Sequence, residues 1–130
     1  MKGAITMAFN IDNFCISTGR LVSDPKFFVN RDGSRKVRFT VAIQNNFKNA
    51  NGERDAQFLP LEAFIPANVT ASVYDLIHKG DKVTAEYAIY NNNYVDTDGI
   101  QHYDLILRVD SLKMQESKAV TQARREDGAA

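Results

Sequence analysis

Two nearby stretches of this sequence place aromatic and cationic side chains at a spacing that could bind a polyanion carrying flat rings. In the first, Lys36 and Arg38 alternate with apolar residues that begin at Val37. This is the period-two pattern of a half-buried β-strand. In the second, Phe58 and Phe64 share one face of a similar pattern. Rings among cations allow nucleic-acid bases to stack while their phosphates are neutralised.

A strand must hold these rings, and only one of its faces is expected to join a core. The second stretch has a continuous aliphatic face that runs from Leu59 to Ile65. We expect this face to be buried, which leaves Phe58 and Phe64 outside, beside Lys36 if the two strands pair. A strand buried on both faces is the alternative, and the pattern of this stretch alone does not decide between them.

Two further rings occur in polar surroundings that offer little core to join. Phe47 precedes Lys48 in an asparagine-rich loop, and Tyr94 follows three asparagines near a predicted hairpin tip. Because every base has a π-face, such rings can stack without regard to sequence. The predicted stacking residues are Phe47, Phe58, Phe64 and Tyr94, with Tyr90 and Tyr103 as weaker candidates. The predicted phosphate contacts are Arg20, Arg31, Arg35, Lys36, Arg38, Lys48 and Arg54.

Catalysis finds little support in the sequence. No Cys or His cluster has the spacing of a metal site, and no glycine-rich loop has the pattern of a phosphate cradle. Asp96, Asp98 and Asp104 lie close in sequence and could suggest a metal-dependent nuclease. Asp is common at hairpin turns, which explains the first two equally well. We therefore expect no enzyme activity, no catalytic residues, no metal and no cofactor.

Composition and charge are those of a single soluble domain. The chain has 130 residues, a formal net charge of zero, and one cysteine, Cys15. Residues 1–60 carry nine Lys or Arg against five Asp or Glu, a net +4 that residues 61–130 balance. A neutral total thus hides a basic N-terminal half. A lone thiol suits the reducing cytosol and no apolar run approaches membrane-spanning length, so we expect a cytoplasmic, nucleoid-associated protein without membrane contact.

The order of predicted elements indicates a fold class. We predict strands over residues 14–22, 35–44, 57–65, 81–90 and 103–109, with a short extended piece at 26–29. A helix is predicted between the third and fourth strands, because Val69, Val73, Leu76 and Ile77 form one apolar stripe. Five strands with this helix are typical of an OB-fold, a Greek-key barrel. An α+β sheet that does not close is the alternative. Residues 1–12 are predicted to be a flexible arm, 13–112 the domain, and 113–130 a disordered tail.

Several stretches resemble bacterial and phage single-stranded-DNA-binding proteins. They are F-C-I-S-T-G-R-L-V-S-D-P-K at 14–26, G-S-R-K-V-R-F-T-V-A at 33–42, L-I-H-K-G-D-K-V at 76–83 and Y-V-D-T-D-G at 94–99. The order and spacing of these stretches, rather than any one of them, carry the resemblance over roughly residues 13–112.

The resemblance implies an OB-fold that assembles as a homotetramer and wraps single-stranded DNA during replication, recombination and repair. By motif context its stacking positions fall on Phe47, Phe58, Phe64 and Tyr94. Three of these positions are often Trp in the family, and this chain has no Trp. Cellular members carry an acidic C-terminal tip that recruits partners, whereas this sequence ends R-R-E-D-G-A-A. We therefore expect that route to be absent, as would suit a phage or plasmid version. The rival interpretation is a primosome-like accessory module with the same barrel that chiefly binds protein.

Overall fold

The computed structural model of the chain describes residues 11–116, and these fold almost entirely as β-structure. The strands are β1 (Cys15–Leu21), β2 (Lys26–Val29), β3 (Arg35–Gln44), β4 (Ala56–Ile65), β5 (Lys82–Val95) and β6 (Gln101–Met114). The short extended piece predicted before the basic strand is therefore a strand in its own right. Most of the predicted arm and tail lie outside the described residues, and β6 runs two residues past the predicted domain boundary at 112.

The strands form one six-stranded sheet in the order β1-β5-β6-β4-β3-β2, with an additional pairing between β1 and β3. Because β1 pairs with both β5 and β3, the pairings lead from β1 through β5, β6, β4 and β3 back to β1. All pairs are antiparallel except β4 with β6. β2 stands outside this circuit and pairs with β3 alone among the described strands.

The core is formed by the inward-facing side chains, which alternate with outward-facing ones along these strands. On β3 the buried side chains include Val37 and Val41, and on β4 they include Leu61 and Ile65. β1 passes so close to β3 that a Cβ on Gly19 would collide with the carbonyl oxygen of Ala42. A glycine is therefore required where these two strands meet.

The α-helix predicted between β4 and β5 does not form: this segment of the described chain holds only a 3-10 helix, Val73–Asp75. Leu76, which the helical pattern places on the buried stripe, is 60% exposed. Tyr74 is buried instead and packs its ring against the core. Val69 and Val73 are β-branched, which lowers helix propensity, and both pack on the core without a helical stripe.

β5 and β6 form a longer hairpin than the sequence predicts. Residues 91–95 continue β5 and pair with β6. The Asp-Gly turn is where we predict it: Gly99 has a φ of 81°, a left-handed conformation that glycine adopts at little cost. The carboxylate of Asp96 accepts hydrogen bonds from the backbone N–H groups of Asp98 and Ile100. This turn therefore places Tyr94 on a strand, not in a loop.

Candidate nucleic-acid interface

The outer face of β3 and β4 carries the rings and cations that the sequence singles out. Phe58 is 66% exposed and Phe64 is 58% exposed, while the residues between them on the inner face are wholly or largely buried. The expectation that both rings stand outside the core is therefore confirmed. In the register of the sheet Phe64 lies opposite Lys36 and Phe58 lies opposite Ala42.

A row of side chains crosses three strands at Phe64. Phe28 on β2 lies opposite Lys36, which lies opposite Phe64 on β4. Paired residues in a sheet project to the same face, so the three share the outer surface. The Nζ of Lys36 lies 5.7 Å from the centroid of the Phe28 ring, and the Cζ of Arg38 lies 5.5 Å from it. Both distances fall within the range of cation–π attraction.

A carboxylate lies among these cations. Glu62 accepts a hydrogen bond from Nε of Arg38 at 3.2 Å, and the Nζ of Lys36 lies 4.0 Å from the same oxygen. Arg108 on β6 is the parallel partner of Glu62, and its guanidinium lies 4.6 Å from the centroid of the Tyr90 ring. Lys36 and Arg38 thus share one carboxylate.

A second cationic region adjoins Phe58. Arg20 on β1 lies opposite Ala42, which itself lies opposite Phe58. Arg20, Arg54 and Lys82 line one groove with Ala42. Arg20 also forms two hydrogen bonds of 3.2 Å with the carboxylate of Glu116. This region therefore places three cations and the carboxylate of Glu116 near an exposed ring.

Arg35 lies apart from the other predicted phosphate contacts. It is paired with Ile65, a core residue, so it projects to the inner side at the end of β3. Its guanidinium makes two hydrogen bonds to the carboxylate of Asp75, at 2.7 and 2.9 Å, and lies over the Phe27 ring. The hydrogen bonds from Arg35 lower the pKa of Asp75 to about 2. These contacts indicate a structural ion pair that holds the 3-10 segment against the sheet.

Phe47 and three of the predicted cations lie on exposed turns. Phe47 and Lys48 project from the loop between β3 and β4, as does Arg54, and Arg31 lies in the turn between β2 and β3. Within residues 11–116, Arg31, Lys48 and Arg54 form no salt bridge. Asn49 braces the loop, since its side-chain oxygen accepts two backbone hydrogen bonds. The cations are therefore exposed and available to phosphate.

Tyr94 stacks on His102, its partner across the β5–β6 hairpin. The ring centroids are 4.7 Å apart and the planes differ by 11°. The Nε2 of His102 lies 2.7 Å from Oδ2 of Asp96, and this contact is the main reason that the pKa of Asp96 is lowered. Asn92 lies on the same face of β5 as Tyr94 and lines a groove with Arg38. The groove connects the hairpin to the face that carries the Phe64 row.

Sequence reasoning missed Phe28, Lys82 and Arg108 as members of this surface. For Phe28 a signal existed, because Lys26 and Phe28 alternate with Phe27 and Val29 in the short extended piece. For Lys82 and Arg108 no local signal distinguishes them from ordinary solvated cations. Their place beside Ala42 and Glu62 follows only from the pairing of distant strands.

The described part of the chain holds neither a cluster of metal-ligating side chains nor a helix that could cross a membrane. Asp96 instead anchors its turn and contacts His102. The three aspartates that could have suggested a metal site therefore form no such group in residues 11–116.

Comparisons with known proteins agree with this geometry. A protein of Lactiplantibacillus plantarum called single-stranded DNA-binding protein is 30% identical over 110 residues, which is 85% of this chain and 54% of that protein. Single-stranded DNA-binding protein 1 of Staphylococcus aureus strain MSSA476 is 29% identical over 82% of this chain and 67% of its own length. The protein of the same name in Streptococcus pyogenes serotype M6 is 29% identical over 82% of this chain and 79% of its own length.

The chain spans about half of the Lactiplantibacillus protein. The three relatives named above come from bacterial strains and give no support to an origin of this chain in a phage or plasmid. That origin stays a prediction. The family model described as single-strand binding protein family matches residues 12–115, which include every described strand. The chain belongs to the single-strand binding protein family.

Proposed function

We propose that this protein binds single-stranded DNA without strong sequence preference. Bases stack on exposed rings while Lys and Arg neutralise phosphates. The rings are Phe47, Phe58, Phe64 and Tyr94. The phosphate contacts are Arg20, Arg31, Lys36, Arg38, Lys48 and Arg54. Arg35, which projects to the inner side of β3 and is held there by Asp75, is not in this set. Neither enzymatic activity nor a cofactor is part of the proposal.

The observation that carries the proposal is the outer face of β4. Two phenylalanines on one strand are more than half exposed, although burial of a large apolar side chain lowers the free energy of the folded chain. Cations lie near both rings. Lys36 lies opposite Phe64, and Arg20 lies opposite Ala42, the residue that pairs with Phe58. Apolar contacts would stabilise a protein complex at this face, but such a complex would not require cations next to the rings.

The circuit of strand pairings supports a five-stranded Greek-key barrel made of β1, β3, β4, β5 and β6, with β2 added at its side. We infer that the chain assembles as a homotetramer in the cytoplasm and protects single-stranded DNA during replication, recombination and repair, as family membership suggests. Light scattering of the purified chain at micromolar concentration tests the assembly. A mass of one chain, 14.6 kDa, would contradict a tetramer.

The test of function compares single strands with duplex. Fluorescence anisotropy of a labelled oligothymidylate should report tight binding, and a hairpin duplex of equal length should bind far more weakly because paired stacks hide the π-faces. The logarithm of affinity should fall with the logarithm of salt by about 0.7 for each phosphate neutralised on a single strand. Equal affinity for the two nucleic acids would refute base stacking. No binding to either would favour the accessory protein-binding module.

A further inference from the structure

We infer that Phe28 on β2 is an additional base-stacking residue, and that it extends the stacking surface of β4 across β3. This inference rests on the proposed function, since it names one more ring of the same DNA-binding face. Phe28 is not among the residues that the sequence patterns select. Its assignment depends on a row of side chains that only the paired strands create: Phe28, Lys36 and Phe64.

The core gives no reason for a phenylalanine at this position. β2 has four residues, and all of them are exposed. One of its two inner-facing members, Phe27, lies opposite the fully buried Val37, whereas Phe28 lies opposite Lys36 and is 44% exposed. A short exposed edge strand usually carries polar side chains that prevent association. An aromatic ring on the outer face of such a strand therefore indicates a binding role.

The cations around Phe28 suit a nucleotide better than another apolar partner. Lys36 and Arg38 both lie within 6 Å of the ring centroid, and both side chains remain partly exposed. A base in contact with the Phe28 ring would have its own phosphates next to two positive charges. Phe64 flanks Lys36 from the other side, so one cation serves two adjacent stacking positions. The row thus binds consecutive nucleotides of one DNA strand.

A different role for Phe28 would be to hold Lys36 and Arg38 in place without touching DNA. The two roles differ in what a substitution removes. If Phe28 stacks on a base, replacing it lowers affinity and leaves the number of neutralised phosphates unchanged. If it only positions the cations, replacing it also weakens their hold on phosphate. The salt dependence then becomes shallower by about 0.7 for each phosphate that is no longer neutralised.

A tryptophan placed at this position can report stacking directly, because the chain contains no Trp. In Phe28→Trp the indole is the single such fluorophore, and titration with oligothymidylate should quench it in parallel with the anisotropy of a labelled strand. The matched control is Leu76→Trp, at an exposed position in the connection between β4 and β5, which should show no comparable quenching. Equal emission changes in both variants, or none in Phe28→Trp at saturation, would overturn the inference.

Affinity supplies the second test. Phe28→Leu keeps an apolar side chain for the stems of Lys36 and Arg38 but removes the aromatic face. We expect it to bind oligothymidylate about 5- to 150-fold more weakly, with the same slope against salt as the original protein. Affinity within twofold of the original, or a shallower slope, would overturn the inference. If the original protein itself does not bind single strands, the proposed function fails first, and the two failures are thereby distinguished.

Discussion

Phe58→Ala should separate the contribution of an exposed ring to DNA binding from its contribution to folding. Phe58 is 66% exposed, so about a third of its surface is covered in the folded chain. With roughly 200 Å² for a phenylalanine, the substitution removes the burial of about 70 Å², which costs at most about 2 kcal/mol of unfolding free energy. Because small domains have about 5–15 kcal/mol of stability, the variant should remain folded.

The same substitution should have a clear effect on DNA. A stacked base contributes about 1–3 kcal/mol by alanine substitution, so the dissociation constant for oligothymidylate should rise about 5- to 150-fold. Anisotropy of a labelled strand measures the affinity, and circular dichroism during heating measures the stability of the same sample. Affinity should therefore change strongly while the cooperative unfolding transition is kept.

The control is Phe39→Ala on the neighbouring strand. Phe39 is only 4% exposed and faces the core, and truncation of a buried phenylalanine costs about 3–5 kcal/mol. It should therefore lower the unfolding temperature far more than Phe58→Ala does. If Phe58→Ala loses its cooperative transition, or if it binds DNA as the original protein does while folded, the assignment of Phe58 as a stacking residue is wrong.

Two further predictions concern the charged pairs. Asp75→Asn should remove a pH dependence of stability. The carboxyl group of Asp75 has a pKa of about 2 in the folded chain against 3.8 in the reference state. Its contribution to the free energy of unfolding is therefore present above pH 3.8 and is lost as the pH falls toward 2. Denaturant unfolding at pH 5 and pH 2.5 should therefore show a smaller loss in Asp75→Asn than in the original protein or in an Asp98→Asn control, and equal losses would contradict it. Glu62→Gln should free Lys36 and Arg38, whose side chains are partly exposed, for phosphate. Binding should become about two- to fivefold stronger, the range of a surface ion pair, with a steeper dependence on salt. Weaker binding at low salt would show that Glu62 positions these cations instead.

Local patterns in the sequence were enough to predict which residues of the main strands face the core and which face outward. The alternation around Val37 and Leu61 predicts the buried faces, and the polar and aromatic residues of the neighbouring segments favour Phe58 and Phe64 as exposed rings. Such patterns are readable because the side chains of a strand alternate with period two, whatever its neighbours are. The Asp-Gly turn at Gly99 was predictable for a similar local reason, since a left-handed backbone favours glycine.

The meeting of segments that are distant in sequence became visible only in the folded chain. Arg35 looks like any basic strand residue until Asp75, forty positions away, binds its guanidinium. The helical spacing around Leu76 did not produce a helix, because the core is filled by side chains from a short irregular connection and tertiary packing outweighs a weak local preference. Phe28 joins Phe64 only because β2 and β4 both pair with β3. Strand partners are set by packing across the whole chain, and no local spacing encodes them.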